Sequence, residues 1–264
     1  IEVWQEALAV VPDHEGVLQE MEKILEVGGN LVPKVVEVLE PLYESRQAHT
    51  KLVQLLEIRV KLVEDPAEKA DFLERASRTC QLTGDLERSV DLLAQAVALA
   101  PDNMVLVENF IQVAQTLDRI SAVVACVQNV LKGSIDDSTA VALALRVAPL
   151  ALASGDVSAS EGLYLAVLER DAENMDALQA LEQLYRAGAD TSKLVSILQK
   201  RAANEYNPEQ KKAICSEIAS LAETQLHDDI LAEKAWKDVL ESDESDADAQ
   251  RELSRLYEKL SRYV

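Results

Sequence analysis

A chain of 264 residues with 26 Lys and Arg against 47 Asp and Glu carries a formal charge of −21, a field that repels phosphate backbones and anionic lipid headgroups. Nucleic acid and bare membrane surfaces are therefore poor candidate partners, and no run reaches the 18 or so apolar residues of a membrane span. With 8 Gly, 7 Pro and 4% aromatic residues, the chain lacks the turn and strand chemistry of a β protein, and an all-α fold is expected.

Apolar residues recur at i, i+3, i+4 and i+7, as in Leu178, Leu181, Leu184 and Tyr185, and capping or helix-stopping residues separate such stretches. The spacing predicts helices over 2–11, 14–27, 32–44, 47–64 and, after Asp65, 66–83. Pro66 stands in a first turn, where its missing N–H loses no intrahelical bond. Gly84-Asp85 precedes a helix over 86–99, Pro101-Asp102 one over 104–117, and a helix over 119–132 ends at Gly133-Ser134. Further helices are predicted over 137–154, 157–171, 175–187, 191–205, 208–226, 230–242 and 246–261, and no strand. Pro41 and Pro149 fall inside predicted helices and are expected to bend or break them.

The chain also repeats itself. Gly84-Asp85-Leu86 through Ala96, Pro101, Asp102 and Asn103 recurs, at an offset of 71, as Gly155-Asp156-Val157 through Val167, Asp171, Glu173 and Asn174. At a further offset of 72 it recurs as His227-Asp228-Asp229 through Val239, Glu244 and Asp246. A unit of about seventy residues splits into two helical hairpins. Trp4, Ala7, Pro12 and Asp13 are expected to match the tail of this unit, with Trp4 at the place of Trp236. The span 14–65 holds three helices where the repeat expects two, which leaves its register open. One solenoid domain over 1–264 is expected, with sub-units near 1–65, 66–132, 137–205 and 208–264.

The hairpins resemble the tetratricopeptide repeat. The likeness is carried by Gly84, Asp85, Ser89, Leu93, Ala96 and Pro101, by Gly155, Asp156, Ser160, Tyr164 and Val167, and by Ala232, Trp236 and Val239. Small residues at Ser89, Ser160 and Ala232 let paired helices approach closely. The first helices depart from the pattern, with Leu73 and Ser77, Ala144 and Ala148, or Val107 and Ile111 where the family has an early Trp and a Gly. The alternation of "LEQLYRAGADTSKLVSILQKRA" with "AEKAWKDVLESDESDADAQRELSRLYEKL" is similar to the long tetratricopeptide-like arrays of large bacterial proteins. The resemblance implies a right-handed superhelical α-solenoid of about 15 helices, a non-catalytic scaffold that binds a protein or peptide partner.

No catalytic, cofactor or metal site is expected. His14, His49 and His227 lie far apart, and solvent-facing or helix-capping roles suffice for them. Asp136-Asp137 and Asp228-Asp229 stand at helix starts, where carboxylates complement the macrodipole. The acidic tract 241–248 lacks the central Gly and terminal Glu of a calcium loop and reads as a solvated turn. Cys80, Cys126 and Cys215 are read as buried free thiols, which favours a reducing, cytoplasmic location. Trp4, Trp236, Tyr43, Tyr164, Tyr185 and Tyr257 are read as core.

If the first helix of each hairpin lines a concave wall, that wall carries Arg75, Arg78, Asn109, Gln112, Gln115, Arg146, Gln183 and Arg186, suited to acidic or C-terminal carboxylates of a peptide. The alternative is that these arginines pair with Glu on their own helices, as Glu74 with Arg78 and Glu182 with Arg186. Because the chain opens at Ile1 inside a helical pattern and ends on "LYEKLSRYV", it reads as a piece of a longer array. An assembly module that associates through its terminal hairpins is therefore a second expectation.

Overall fold

The computed structural model describes residues 2–11 and 14–261. Its described residues form fifteen α-helices and one π-helical turn, and no strand. Every boundary but one lies within two residues of the sequence expectation, because the stops are local chemistry; the helix expected over 208–226 ends as α13 at Leu221 and continues as a π turn over Ala222–Leu226. Asp65, Asp85, Asn103, Asp136, Asp156, Asn174, Asp190, Asn207 and Asp228 each accept hydrogen bonds from amides of the first helical turn. Each such cap contributes about 1 kcal/mol.

The chain divides into two compact units, Ile1–Ile135 and Asp136–Val264. The first holds α1 (Glu2–Val10), α2 (Glu15–Val27), α3 (Val32–Ser45), α4 (His49–Leu62), α5 (Pro66–Thr83), α6 (Leu86–Leu99), α7 (Met104–Thr116) and α8 (Ile120–Leu131). The second holds α9 (Asp137–Ala153), α10 (Val157–Arg170), α11 (Met175–Ala187), α12 (Thr191–Ala203), α13 (Pro208–Leu221), the π turn Ala222–Leu226, α14 (Asp229–Ser242) and α15 (Ala247–Ser261). Within each unit successive helices are joined by short turns and pack on one another, so neighbours run antiparallel. The α5–α6 and α9–α10 pairs lie together over most of their length, whereas α7–α8 and α11–α12 touch less.

The closest pairs meet through small residues. Ser77 and Ser89, then Ala148 and Ser160, then Ala219 and Ala232, stand at matching positions and all are 0% exposed. Around them Ala, Leu and Val fill the core, with Phe110 and Met21 its largest fully buried side chains. Removing such side chains from water is the main stabilising term.

Two turn families keep the repeat in phase. Gly84 and Gly155 close the tight hairpins at φ 78° and 89°, a left-handed conformation that glycine reaches without a Cβ clash. Gln47, Asp118 and Ala189, each one period from the next, close the looser hairpins at φ 54°, 55° and 54°. His227 takes the glycine position of the last tight hairpin at φ 55°. Pro66, Asp137 and Pro208 keep the offset of 71, so the extra residue that lengthens the last offset to 72 falls between Pro208 and His227. The π turn Ala222–Leu226 sits there, a single wide turn of the kind that interrupts an α-helix.

These markers settle the span 14–65. His14 accepts from the Val17 amide as the N-cap of α2, one period before the Asp85 cap, so α2 matches α6 and α10, α3 matches α7 and α11, and α4 matches α8 and α12. Trp4 therefore occupies the register of Arg75 and Arg146, not that of Trp236, which stands at the register of Tyr164 on the second helix of its hairpin. Pro12 and Asp13 lie outside the described residues. Pro41 and Pro149 do not break α3 or α9. Both face solvent, where water satisfies the carbonyl that each ring leaves without an N–H.

Candidate functional site

The residues expected on the first-helix wall fall on α5 and α7 of the first unit and on α9 and α11 of the second. Their arginines are engaged by the chain itself. Arg75 donates to Glu40 at 2.6 Å and Glu44 at 2.7 Å, contacts that cross from α5 to α3. Arg78 pairs with Glu74 at 2.6 Å on its own helix. Arg186 takes Glu182 at 2.8 Å and, across to α13, Glu217 at 2.5 Å, and these carboxylates raise its pKa, Glu217 first. Arg146 is half-buried and also has a partner within the structure. Asn109 accepts weakly from Gln81 at 3.5 Å, while Gln112, Gln115 and Gln183 are exposed.

A second pattern recurs at twice the period. Glu40 with Arg59, and two periods later Glu182 with Arg201, join the two helices of the looser hairpins. The Tyr43 and Tyr185 hydroxyls donate to Glu22 and Glu161 at 2.8 and 2.9 Å, and Lys51 and Lys193 reach the same carboxylates at 2.5 and 2.7 Å. Burial and then the glutamate push each tyrosine above its ordinary range, and the Lys193 ammonium holds Glu161 below its own. At the register between them, α7 and α8 carry Ile111, Val130, Ala114 and Ala122, so apolar side chains take the places of those ion pairs and hydrogen bonds. The outer contact changes sign as well: Arg75 faces Glu44 in the first unit, whereas Glu217 faces Arg186 in the second. These contacts tie neighbouring helices together.

The second unit contains an apolar hollow of about 530 Å³ between the end of α9, the start of α10 and the C-terminal half of α11. Leu152 (44% exposed), Val157 (48% exposed), Tyr164, Ala180 and Leu184 form its apolar lining. Its mouth carries Gln183, Glu161, Asp190 and Lys193. The repeat explains why it is open. At the register of Leu152 and Ala180 the first unit has Gln81 and Asn109, which reach toward each other across α5 and α7. One register on, Glu223 and Glu252 stand at the places of Leu152 and Ala180, and Arg255 of α15 joins them at 2.5 and 2.7 Å. The polar bridge present on both sides is replaced here by Leu and Ala. Gly188 stands where the first unit has the bulky Leu117.

Elsewhere the titratable groups have structural occupations. His14 caps α2, and His227 is exposed at its turn. Asp136 caps α9 and is held at about 2 by Ser138 and the Thr139 amide. Asp246, inside the acidic tract, accepts from the Ala249 amide at 2.9 Å and pairs with Lys212. Cys80 and Cys215 are buried thiols, and Cys126 is half-buried with its Sγ on the Ala94 carbonyl at 3.4 Å. Tyr43, Tyr164 and Tyr185 belong to the core, but Tyr257 is 47% exposed and Trp4 and Trp236 are half-buried. Among the described residues no group of three His, Cys, Asp or Glu is placed to hold a metal, and no helix is long and apolar enough to cross a membrane.

No family model matches the chain, and no curated protein matches it. Among solved structures it is similar to the C-terminal part of a TPR repeat-containing protein from Cytophaga hutchinsonii, at 12% identity over 94% of this chain and 97% of that one, with a TM-score of 0.35. It is also similar to Naa15/Naa10 bound to HypK-THB, at 13% identity over 97% of this chain and 39% of that one, with a TM-score of 0.40. A third is the TPR2AB domain of yeast Sti1 in its pHSP90 complex, at 10% identity over 98% of this chain and 96% of that one, with a TM-score of 0.30. The chain's own antiparallel hairpins and their regular recurrence make it an all-α repeat protein of tetratricopeptide-like build.

Proposed function

We propose that this chain is a non-catalytic protein-interaction scaffold whose hollow between α9, α10 and α11 receives an apolar side chain of a protein or peptide partner. The observation that carries this reading is the apolar pair Leu152 and Ala180 at a register where the hairpin before has Gln81 with Asn109 and the hairpin after has Glu223 with Glu252, joined through Arg255. An apolar recess kept open at a position that the same chain closes elsewhere is a receptor for apolar surface, and fully burying one Leu-sized side chain contributes ~1.5–3 kcal/mol. Gln183 at the mouth is the sequence-predicted residue best placed to contact the partner backbone. The first-helix arginines are a poorer anchor for acidic peptides, since a ligand carboxylate would have to displace Glu44 from Arg75 or Glu217 from Arg186. Selection of displayed peptides against the wild-type chain and against Ala180→Asn tests the reading. Enrichment that depends on Ala180 supports it, and selection that yields no Ala180-dependent sequence refutes it.

A second reading, assembly through terminal helices, is favoured by α1, where Val3 and Val10 are 74% and 81% exposed at a spacing that places them on one face. Sedimentation over a wide concentration range tests it: a strict monomer throughout, unchanged by Val3→Lys with Val10→Lys, rules it out.

A further inference from the structure

We infer that the segment received by the α9–α11 hollow is basic: an apolar anchor carried next to Lys or Arg, on a protein partner. The inference rests on the scaffold reading and adds to it the charge of the partner.

The mouth of the hollow has two carboxylates, Glu161 and Asp190, for one ammonium, Lys193, which spans them at 2.7 and 3.8 Å. Lys193 is thus already neutralised, and Asp190 is only loosely held by it. Asp190 spends one oxygen on the Lys193 amide at the start of α12, and its other oxygen lies 3.8 Å from the ammonium. An incoming cation finds acceptor capacity at both carboxylates, and Arg can take one of them by two parallel hydrogen bonds. An incoming carboxylate finds repulsion, because no other cation lines the hollow. The chain's charge of −21 acts in the same direction at long range, raising the encounter rate of a basic segment and lowering that of an acidic one.

The anchor is set by the floor. Leu152, Val157 and Tyr164 offer no hydrogen-bond partner to a polar anchor except the Tyr164 hydroxyl, so a polar side chain entering here would lose water without compensation. Leu, Ile, Met or Phe flanked by Lys or Arg satisfies both constraints, and a purely basic or purely apolar segment satisfies one.

Three synthetic peptides of one length, with Leu anchors separated by Lys, by Gln or by Glu, discriminate the cases by fluorescence anisotropy on the full chain. The Lys peptide is expected to bind wild type, and about tenfold more weakly to Leu152→Gln with Ala180→Asn, which rebuilds the first unit's bridge without changing charge. Its affinity is expected to rise about two- to fivefold on Lys193→Gln, which uncovers both carboxylates, and to fall as salt is added. Circular dichroism of each variant establishes that the helices persist. If the Gln or Glu peptide binds as tightly as the Lys peptide and still needs Ala180, the cationic requirement is wrong while the scaffold reading stands. If the Lys peptide binds wild type and the rebuilt bridge equally, the attraction is diffuse charge and both the hollow and the inference fall. If no peptide binds, the inference is overturned.

Discussion

Ser160 has a hydroxyl that is fully buried and makes no hydrogen bond, and replacing it with alanine is expected to stabilise the protein. Its counterpart Ser89 shows what is missing. The Ser89 Oγ lies 2.8 Å from the Ser77 Oγ and receives the Gln81 Nε2 at 3.2 Å. In the second unit those partners have become Ala148 and Leu152, so the hydroxyl of Ser160 remains while both groups that could satisfy it are gone. A buried hydroxyl without a partner costs ~1–3 kcal/mol, and alanine adds roughly 0.5 kcal/mol of helix propensity. Against this stands a gap smaller than a methyl group, worth less than about 1 kcal/mol. Ser160→Ala should therefore gain about 1–2 kcal/mol, which at this chain length raises Tm by a few degrees. Chemical denaturation of wild type, Ser160→Ala, Ser89→Ala and Ala148→Ser provides the assay. Ser89→Ala should lose about 1–2 kcal/mol, and Ala148→Ser should recover part of the Ser160 penalty by restoring the paired hydroxyls. A loss of stability in Ser160→Ala as large as that in Ser89→Ala would refute the reasoning.

Ala189, at φ 54°, holds a Cβ in the left-handed region, so Ala189→Gly should stabilise by up to about 1 kcal/mol, where the same change inside a helix costs that much; thermal melts of both kinds of variant decide it. Glu182→Ile alone should destabilise by ~3–5 kcal/mol because Arg201, 20% exposed, keeps a charge without its partner. Glu182→Ile with Arg201→Val copies Ile111 and Val130 and should return to within about 2 kcal/mol of wild type in denaturant titrations. Burial pushes the Cys126 and Cys215 thiols up to about 11, so both should react slowly with a thiol reagent at pH 8 and at the ordinary rate once denatured. Glu161 has its folded pKa depressed by Lys193, so its contribution is present above the unfolded value of 4.5 and is lost as pH falls through the folded value. The stability gap between wild type and Glu161→Gln should accordingly shrink below pH 4.5, as followed by acid titration of helicity.

The helices were legible because their stops are local. A single Asp or Asn before an apolar stripe specifies an N-cap, and Gly84 and Gly155 specify a left-handed turn, without reference to anything distant. What was not legible is whatever joins helices that are not consecutive. The arginines of the first-helix wall were found, but their partners Glu44 and Glu217 each lie 31 residues away, beyond the reach of helical spacing. The paired Glu40–Arg59 and Glu182–Arg201 contacts did leave a signal, the recurrence of a Glu, Tyr and Arg set at twice the period. Trp4 is a misleading marker of the opening register, since its resemblance to Trp236 is one of side chain and not of position. The N-cap at His14 is the better ruler, since a cap is tied to backbone geometry whereas a bulky side chain fits several sites on a hairpin. The hollow was invisible for a related reason: it exists only by comparison of Leu152 and Ala180 with what stands one period before and after.

The π turn at Ala222–Leu226 has a bearing on how this chain tolerates change in length. Each residue added to a straight α-helix rotates everything beyond it by about 100° and advances it by about 1.5 Å. Such a rotation would swing α14 and α15 off their apolar stripes. A wide turn absorbs the surplus residue as a local blister instead, so Ala232 still meets Ala219 as Ser160 meets Ala148. The hairpin turns thus behave as expansion joints: an insertion or deletion near one is taken up before it reaches the next pair, and loss of one residue from 222–226 should trouble the fold far less than loss of one from the middle of α9.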